Sequence, residues 1–594
     1  MCGISCVIGL KEKLDNKSDI TKLHSVIAHR GPDSCNYSFL ERVHLAHHRL
    51  AIIDLKRESD QPFNIDDEIF IIFNGEIYNH IEIRKTLKKE GLKFRTESDT
   101  EVILNSYKFW GKECIKQFNG MWSFVIMDLN KNEIFCSRDR FGIKPFYYAL
   151  NDNKIFIASE LKQFNKFDFG RKANYQQIQI YLFSGLTNTS NQTFFRNIFS
   201  LNPGENLIIN LDNNSISKYK WYYPRIKKEN KFDIQKIVNS VNLRLRSDVP
   251  IGCFLSGGVD SSIIASIANN LCNSNIDYFH SRSLDKNNDE ILFAKEIARS
   301  SSNNFFTNTP NFKDFEENID DLVWTQDEPF GGLSVLMQFL LFKKVKENGI
   351  KVILDGQGAD ELMMGYSKYL VYPLFGKLKS FDFVNLIKQS QLISKNNFNM
   401  SFFNQIKYLI ATYNPIIRSY YNQFILHGKF EKIYEIEKVF QEYSNAFKEY
   451  KQIQIFETYN TSLQSLLRTE DRNSMRHSIE SRLPYLDFIN FEHCLNLNIN
   501  EKVHNGWTKY ALRKSNLIPQ SIAWRKDKIG FNSPAKIWIN KYSSNMIKVV
   551  NKSYLIEKIL RKNFVIKNWS RLSYKQKWCL FNLSKWEEIF QIEK

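Results

Sequence analysis

Through its first 220 residues the chain places short apolar-rich runs at 44–54, 68–74, 121–128, 133–138, 144–150 and 154–159, separated by Gly, Asn and Asp. Runs of this length between turn formers predict β-strands. Two longer stretches, 80–90 and 99–110, carry helical spacing instead. Ser98 or Asp99, in Ser-Asp-Thr-Glu, predicts a capped start with capping-box character for the second. Many strands with a few helices predict a layered sandwich. Leu201-Asn202-Pro203-Gly204 and the Tyr/Trp-rich segment ending near 224 close this half.

From about 232 the rhythm changes. Apolar runs at 251–255, 277–281, 304–307 and 351–354 alternate with helical patterns at 262–271, 289–300 and 334–346. Strand–helix alternation predicts a parallel sheet covered by helices. Residues 366–465 read as helical and rich in Tyr, Phe and Lys, with no function legible in them. The expected class is therefore α+β followed by α/β, with units at 2–220 and 221–594. Neither an internal repeat nor a low-complexity linker interrupts the chain.

Length and composition narrow the class. A chain of 594 residues, 43% hydrophobic, is too long for one core and apolar enough for several. No apolar stretch reaches membrane-spanning length, and the start, with no basic segment, reads as a mature terminus rather than an export signal. Nine cysteines without paired spacing suit a reducing compartment, so a cytoplasmic location is expected. Cys2 and Cys6 lack the His/Cys partners of a zinc site. The net charge of +18 comes from Lys spread along the whole chain among 64 acidic residues. It reads as a solvated surface, so neither nucleic acid nor membrane is an expected partner.

Candidate chemistry begins at Cys2. Removal of Met1 would set the α-amino group, a base near neutral pH, beside its own thiol. Alone, such a cysteine is more often a small buried hydrophobe. Downstream, however, lie His29-Arg30-Gly31-Pro32-Asp33, Arg49-Leu50-Ala51-Ile52-Ile53-Asp54, Asn74-Gly75-Glu76-Ile77-Tyr78-Asn79, Ser98-Asp99-Thr100-Glu101 and Arg138-Asp139-Arg140-Phe141-Gly142-Ile143-Lys144-Pro145. This set, in this order, resembles the class II glutamine amidotransferase domain, an αββα sandwich of the amino-terminal-nucleophile type. The resemblance implies glutamine hydrolysis through a thioester on Cys2. Arg49 would clamp the substrate carboxylate, with Leu50, Ile52 and Ile53 beside it. Glu76 and Asp99 would bind the α-amino group, and Asn74 with the Gly75 amide would form the oxyanion hole.

Ser256-Gly257-Gly258-Val259-Asp260-Ser261-Ser262 follows an apolar strand and opens a helix. Backbone amides and a helix amino terminus at such a turn attract phosphate oxygens, and the Gly-Lys-Ser/Thr ending of a Walker loop is missing. The segment looks like the PP-loop of ATP pyrophosphatases. Asp355-Gly356-Gln357-Gly358-Ala359-Asp360 ends a later strand, so the two loops can converge, with Asp260 and Asp360 as candidate Mg²⁺ ligands.

Arg472-Asn473-Ser474-Met475, Glu480-Ser481-Arg482-Leu483-Pro484-Tyr485-Leu486-Asp487, Lys509-Tyr510-Ala511-Leu512-Arg513 and Lys528-Ile529-Gly530-Phe531 extend the pattern. Over nearly its full length the chain is similar to the glutamine-hydrolysing asparagine synthetases of bacterial type. That resemblance implies an ATP site at Leu255, Ser256, Gly257, Gly258, Asp260, Ser261, Ser262, Ser281, Asp355 and Gly356, with Lys528 stabilising charge during acyl transfer. It implies glutamine, ATP and aspartate as small-molecule partners, Mg²⁺ as cofactor, and it allows a homodimer. One position departs: many family members carry Ser-Gly-Glu-Gly where Gln357 stands, so this chain has no ionisable group there. Gln357 keeps adenylation in place but opens the acceptor to another carboxylate, such as a sugar uronate. PP-loops also serve tRNA-modifying enzymes, but those usually take sulfur rather than glutamine nitrogen.

Overall fold

Strand β1 (Gly3–Gly9) is buried along its whole length because both its faces are covered. Ile4, Cys6 and Ile8 point into the space between two sheets, and Val7 points outward under helices. The other strands of this half, in chain order, are β2 (Ser34–Phe39), β3 (Val43–Arg49), β4 (Phe63–Ile65), β5 (Ile69–Ile77), β6 (Gly120–Asp128) and β7 (Glu133–Arg138). They continue with β8 (Tyr147–Asn151), β9 (Lys154–Ala158), β10 (Ile198–Ser200), β11 (Glu205–Asn210) and β12 (Ser215–Lys220). They form two six-stranded sheets, β10-β8-β9-β1-β3-β2 and β12-β11-β7-β6-β5-β4, whose pairs are antiparallel. The sheets share a core of period-2 apolar positions such as Leu45, Ile72, Val125 and Ile157. Helices Ser18–His24 and Tyr175–Ser184 pack on one outer face, and His80–Lys89 and Asp99–Trp110 on the other, completing the expected αββα layering.

This is a computed structural model, and it describes residues 2–593 apart from 228–230, 272–275, 286–288, 300–302, 398–399, 414–415, 428–432 and 527–533. In the second half, β13 (Ile251–Phe254), β14 (Asp277–Ser281), β15 (Phe305–Asn308), β16 (Val352–Leu354) and β17 (Glu480–Arg482) form one sheet, all parallel. The order β15-β14-β13-β16-β17 puts a topological switch between β13 and β16, where a crevice opens at the strands' carboxyl ends. Helices carry nearly all the described chain after β16, beginning with Ala359–Leu362. Among the described residues no helix is long and apolar enough to cross a membrane.

Several expected elements are shortened. The strand expected over 44–54 stops at Arg49, where the chain turns into a loop that includes a left-handed Asp54. The run expected from 144 becomes a strand only at Tyr147. Asp139 accepts hydrogen bonds from the amides of Phe141, Ile143 and Lys144 (2.9–3.0 Å), and this holds 139–144 in a loop. Ser98 does cap its helix, accepting from Glu101 N, but Glu101 turns away from the cap to bind the amides of Arg95 and Thr96. The expected helix over 289–300 is observed as Ile291–Ala298, with residue 300 outside the described residues. Strands β1, β2, β4, β10, β11, β12 and β17, and the carboxyl-terminal helices up to Tyr574–Ile589, are not expected from the apolar runs.

Candidate functional site

The edge of β5 builds the first cavity. Asn74, Gly75 and Glu76 follow one another there, opposite the start of β1. Cys2 is buried, and its backbone nitrogen donates to Asn74 Oδ1 (3.1 Å). The Asn74 side-chain amide has only a long contact to Ser123 Oγ (3.5 Å), leaving it able to serve as a donor toward the cavity. A Cβ on Gly75 would lie 2.1 Å from Met121 O and 2.8 Å from both Phe73 Cε2 and Trp122 Cα. Only glycine lets β5 and β6 approach this closely with the backbone at φ +156°.

Cys2, Arg49, Leu50, Ile52, Ile53, Gly75, Glu76 and Asp99 line one cavity of about 360 Å³. Arg49 is aimed by the loop that follows it. Its Nη1 donates to Lys56 O and Asp60 Oδ1 (both 2.7 Å), and its Nη2 donates to Asp54 O. Those bonds use three of five guanidinium donors and fix the plane of the group. Asp99 Oδ2 accepts from Ile77 N (2.9 Å). Burial pushes the Cys2 thiol up, opposed by the amino terminus, Leu50 N and Arg49. Burial and the neighbouring Asp99 push Glu76 well above the usual carboxylate range.

Two arginines tie this cavity to the second half. Arg30 Nε donates to Cys2 O (3.0 Å), while its Nη groups reach Asp471 (2.8 and 3.1 Å) and Glu160 (2.7 Å). Arg482, on β17, pairs with Glu480 (2.5 Å) and reaches Glu76 Oε2 (3.5 Å). Against burial, Arg30 and Arg472 hold Asp471 below the usual carboxylate range. The sequence motifs contain Arg30, Glu480 and Arg482 without giving them a role, and the stretch that opens at Arg472 begins one residue after Asp471. Arg30 and Asp471, and Arg482 and Glu76, are buried charges whose partners lie far along the chain, so no local spacing signals them.

The switch-point crevice holds the second cluster. Gly257 adopts φ +80°, and a Cβ there would lie 3.0 Å from Ala294 N and Glu290 O. Ser256 and Ser261 hydroxyls bond each other (2.9 Å), shaping the turn into helix Val259–Leu271. Leu255 O accepts from His280 Nδ1 (2.8 Å). The buried hydroxyls of Ser262 and Ser281 find no hydrogen-bond partner among the described residues. Such orphaned groups cost stability unless a ligand satisfies them. Gly356 closes in from β16, and a Cβ there would sit 3.1 Å from Ser261 N and 3.2 Å from Asp260 Cβ.

Asp260 and Asp360 do converge, as expected, with Lys509 between them. Its Nζ lies 2.5 Å from Asp260 Oδ2 and 2.5 Å from Asp360 Oδ1. Gly365 makes room for this lysine: a Cβ there would fall 1.8 Å from Asp360 Oδ1 and 2.0 Å from Lys509 Cε. Burial opposes the Lys509 charge, but the two carboxylates raise its pKa overall. Beyond them, burial and Asp360 push Glu361 to about 7, and Tyr366 OH donates to its Oε1 (2.5 Å). Arg525 anchors the phosphate turn through Gly257 O (3.3 Å) and Glu290 (2.8 Å). Lys528 lies outside the described residues, and Gln357 is half-buried. Lys509 is the functional candidate missed from sequence; the Lys509–Arg513 motif was noted, but nothing local says which lysine enters the crevice.

Comparison with known proteins agrees with both halves. Residues 1–222 match the family described as glutamine amidotransferase domain, and residues 234–588 match the family described as asparagine synthase. Glutamine-hydrolyzing asparagine synthetase 1 of Bacillus subtilis is 29% identical over 591 residues, covering 95% of this chain and 92% of that protein. A putative glutamine-hydrolyzing asparagine synthetase 2 of Methanocaldococcus jannaschii is 35% identical over 407 residues, covering 62% of this chain and 76% of that protein. Amidase chyE of Penicillium rubens is 30% identical over 406 residues, covering 62% of this chain and 60% of that protein.

Proposed function

The chain belongs to the asparagine synthase family, and from that membership we propose that it makes asparagine from aspartate, ATP and glutamine through two coupled sites. It is an ATP-dependent carbon–nitrogen ligase that draws its nitrogen from glutamine. We assign residues 2–220 to glutamine hydrolysis and 221–594 to acceptor activation.

At the first site Cys2 attacks the side-chain amide of glutamine, and its own α-amino group, exposed once Met1 is removed, takes the thiol proton. Arg49 receives the substrate carboxylate, Glu76 and Asp99 its ammonium. Asn74 and Gly75 N face the oxyanion, donating where charge develops. At the second site the turn 256–262, Leu255, Ser281 and the Asp355–Gly356 segment bind ATP. The carboxylate attacks the α-phosphorus and pyrophosphate leaves. The residues present fit Mg²⁺: Asp260 and Asp360 offer hard carboxylate oxygens, and Lys509 engages only one oxygen of each. When bound, that ion offsets charge on the departing pyrophosphate. Lys528, outside the described residues, is assigned to charge stabilisation in acyl transfer.

The observation that carries the reading is the single buried framework joining the sites. Leu50 and Ile52 of the first cavity, Met121 and Ile143 beside it, and Leu255 and Val259 of the phosphate turn belong to one apolar cluster. An apolar route suits ammonia, which in water is largely protonated and non-nucleophilic. The decisive assay supplies purified protein with glutamine, aspartate and Mg·ATP. Asparagine, glutamate, AMP and pyrophosphate are expected in equal amounts, and absence of both asparagine and AMP removes aspartate as acceptor.

A second acceptor reading is favoured by one feature. A hollow lined by Thr187, Asn188, Ser367, Lys368 and Ser465 opens beside Tyr366. A sugar uronate has hydroxyls to match such a polar wall, which aspartate lacks. With Gln357 in place of an ionisable group, pyrophosphate release screened across uronates and aspartate separates the two.

Two further outcomes test the first site. Gly75→Ala is expected to lower glutaminase activity by about 10²-fold or more, since its Cβ forces the oxyanion donor off position; near-native turnover would remove Gly75 from the hole. The KM for glutamine is expected to rise as pH falls through the range in which Glu76 takes up a proton, because protonation removes the anion facing the substrate ammonium. That range lies above the usual carboxylate one, since burial and Asp99 both disfavour the charged form. A KM that stays flat from there down to the usual carboxylate range excludes Glu76 from substrate binding.

A further inference from the structure

The helical segment after β16 presents an apolar face to solvent. Its helices Phe383–Asn396 and Phe402–Tyr413 open alike, on Phe383-Val384-Asn385-Leu386-Ile387-Lys388 and Phe402-Phe403-Asn404-Gln405-Ile406-Lys407. In each stretch the first, second and fifth side chains are apolar and exposed, from 37% at Ile406 to 79% at Val384. Single exposed hydrophobic side chains are ordinary on a protein surface, but a group gathered on two adjacent helices marks a contact face.

The two helices form a hairpin through 397–401, and Gln405 stitches them together. Its Nε2 donates to Ser390 O (3.1 Å) and Ser394 Oγ (2.9 Å), so those serines on the first helix face Gln405 on the second. At about 100° per residue, Phe383, Val384 and Ile387 lie about 20–120° round from Ser390, and Phe402, Phe403 and Ile406 about 60–160° round from Gln405, in the same rotational sense. In an antiparallel pair that shared sense turns both stripes to one side of the hairpin. Lys388, Lys395 and Lys407 come next round each helix, all exposed, and border the stripes.

Charge selects what this face meets. Over the whole chain Lys and Arg outnumber Asp and Glu by 82 to 64, but within 377–427 Lys377, Lys379, Lys388, Lys395, Lys407 and Arg418 stand against Asp382 alone. Asp382 is already taken up by Lys377 Nζ (3.1 Å) and by the cap of the first helix. The even spread of charge expected from the whole sequence therefore fails here. A second copy of the chain, meeting this face with its own across a two-fold axis, would set lysines against lysines with no free carboxylate between them. A bilayer with anionic headgroups matches both features, with phosphates for the lysines and an acyl boundary that takes bulky side chains in any arrangement. We propose that this hairpin lies on an anionic membrane surface, its apolar stripes sunk at the headgroup boundary and its lysines among the phosphates. The chain is then held at the bilayer by an amphipathic face, without a spanning helix among the described residues.

The full chain should float with vesicles of equal parts phosphatidylglycerol and phosphatidylcholine and not with phosphatidylcholine alone, and added salt should weaken the association. Phe383→Ser with Phe402→Ser, and separately Lys388→Glu with Lys407→Glu, should each weaken vesicle binding by at least about tenfold while glutaminase turnover stays at the wild-type level. Hydrogen exchange on the mixed vesicles should show new protection within 383–407. No flotation, equal flotation with both kinds of vesicle, undiminished binding by either variant, or protection confined to other parts of the chain overturns the proposal. Substitutions that split a dimer, with no vesicle binding by the wild type, would assign the face to a second copy and overturn it as well. Should the serine variant fail to fold, the lysine variant and the exchange pattern decide.

Discussion

Replacing Cys2 with alanine is expected to lower glutamine-driven amidation by at least about 10⁴-fold, because it removes the thiol that forms the acyl intermediate. Arg49, Glu76, Asp99 and the oxyanion donors remain, so glutamine should still bind. Amidation driven by added ammonium should fall by less than about tenfold, since nitrogen then enters without the thioester step. Initial rates with each nitrogen source, measured on the same preparation, check both halves. Glutaminase turnover of more than a tenth of wild type would remove Cys2 as nucleophile. Parallel loss with both sources would mean that the substitution had disturbed the Arg30–Asp471 bridge instead. The geometry argues against that, because Arg30 is bonded to the Cys2 carbonyl and not to its sulfur.

The second large effect centres on Lys509. Lys509→Met keeps the length and apolar stem but removes the ammonium that separates Asp260 from Asp360. Two carboxylates are then left facing each other at the mouth of the phosphate turn. Carboxylate-dependent pyrophosphate release should fall by about 10³-fold, since a preorganised positive charge is lost where phosphate charge develops. Unfolding free energy should drop by about 3 kcal/mol, at the low end for breaking a buried pair because Asp360 is partly exposed. Mg·ATP should restore part of that stability, because a cation can pair the same oxygens. Denaturant unfolding with and without Mg·ATP, together with pyrophosphate release, decides the matter. Retained release with lowered stability would reduce Lys509 to a structural role.

The two effects fall on different cavities, yet the structure couples them. The helix Ser462–Arg476 presents Asp471 to Arg30, which bonds the Cys2 carbonyl, and Arg482 carries β17 to Glu76.

Much of this was fixed by short-range information. Turn residues between apolar runs mark the central strands β3, β5, β6, β7 and β9. Strand–helix alternation marks the parallel sheet, and motif order marks both cavities down to Cys2, Asn74, Gly75 and Asp260. These signals are local because φ/ψ preference, side-chain period and turn chemistry act between neighbours in the chain. Even the late start of β8 follows a local rule, the Asp139 carboxylate that gathers three nearby amides.

Tertiary structure alone decided which distant charges meet. Arg30 pairs with Asp471 across 441 positions, and Lys509 reaches Asp260 across 249. Arg482 reaches Glu76 across 406. A buried charge has to be matched by another wherever the packed layers bring one. That match depends on how sheets and helices stack over the whole molecule, through apolar burial that is non-directional and summed over many residues. No window of sequence contains that sum, so the lysine in the crevice and the arginines that bridge the cavities emerge only in the folded chain.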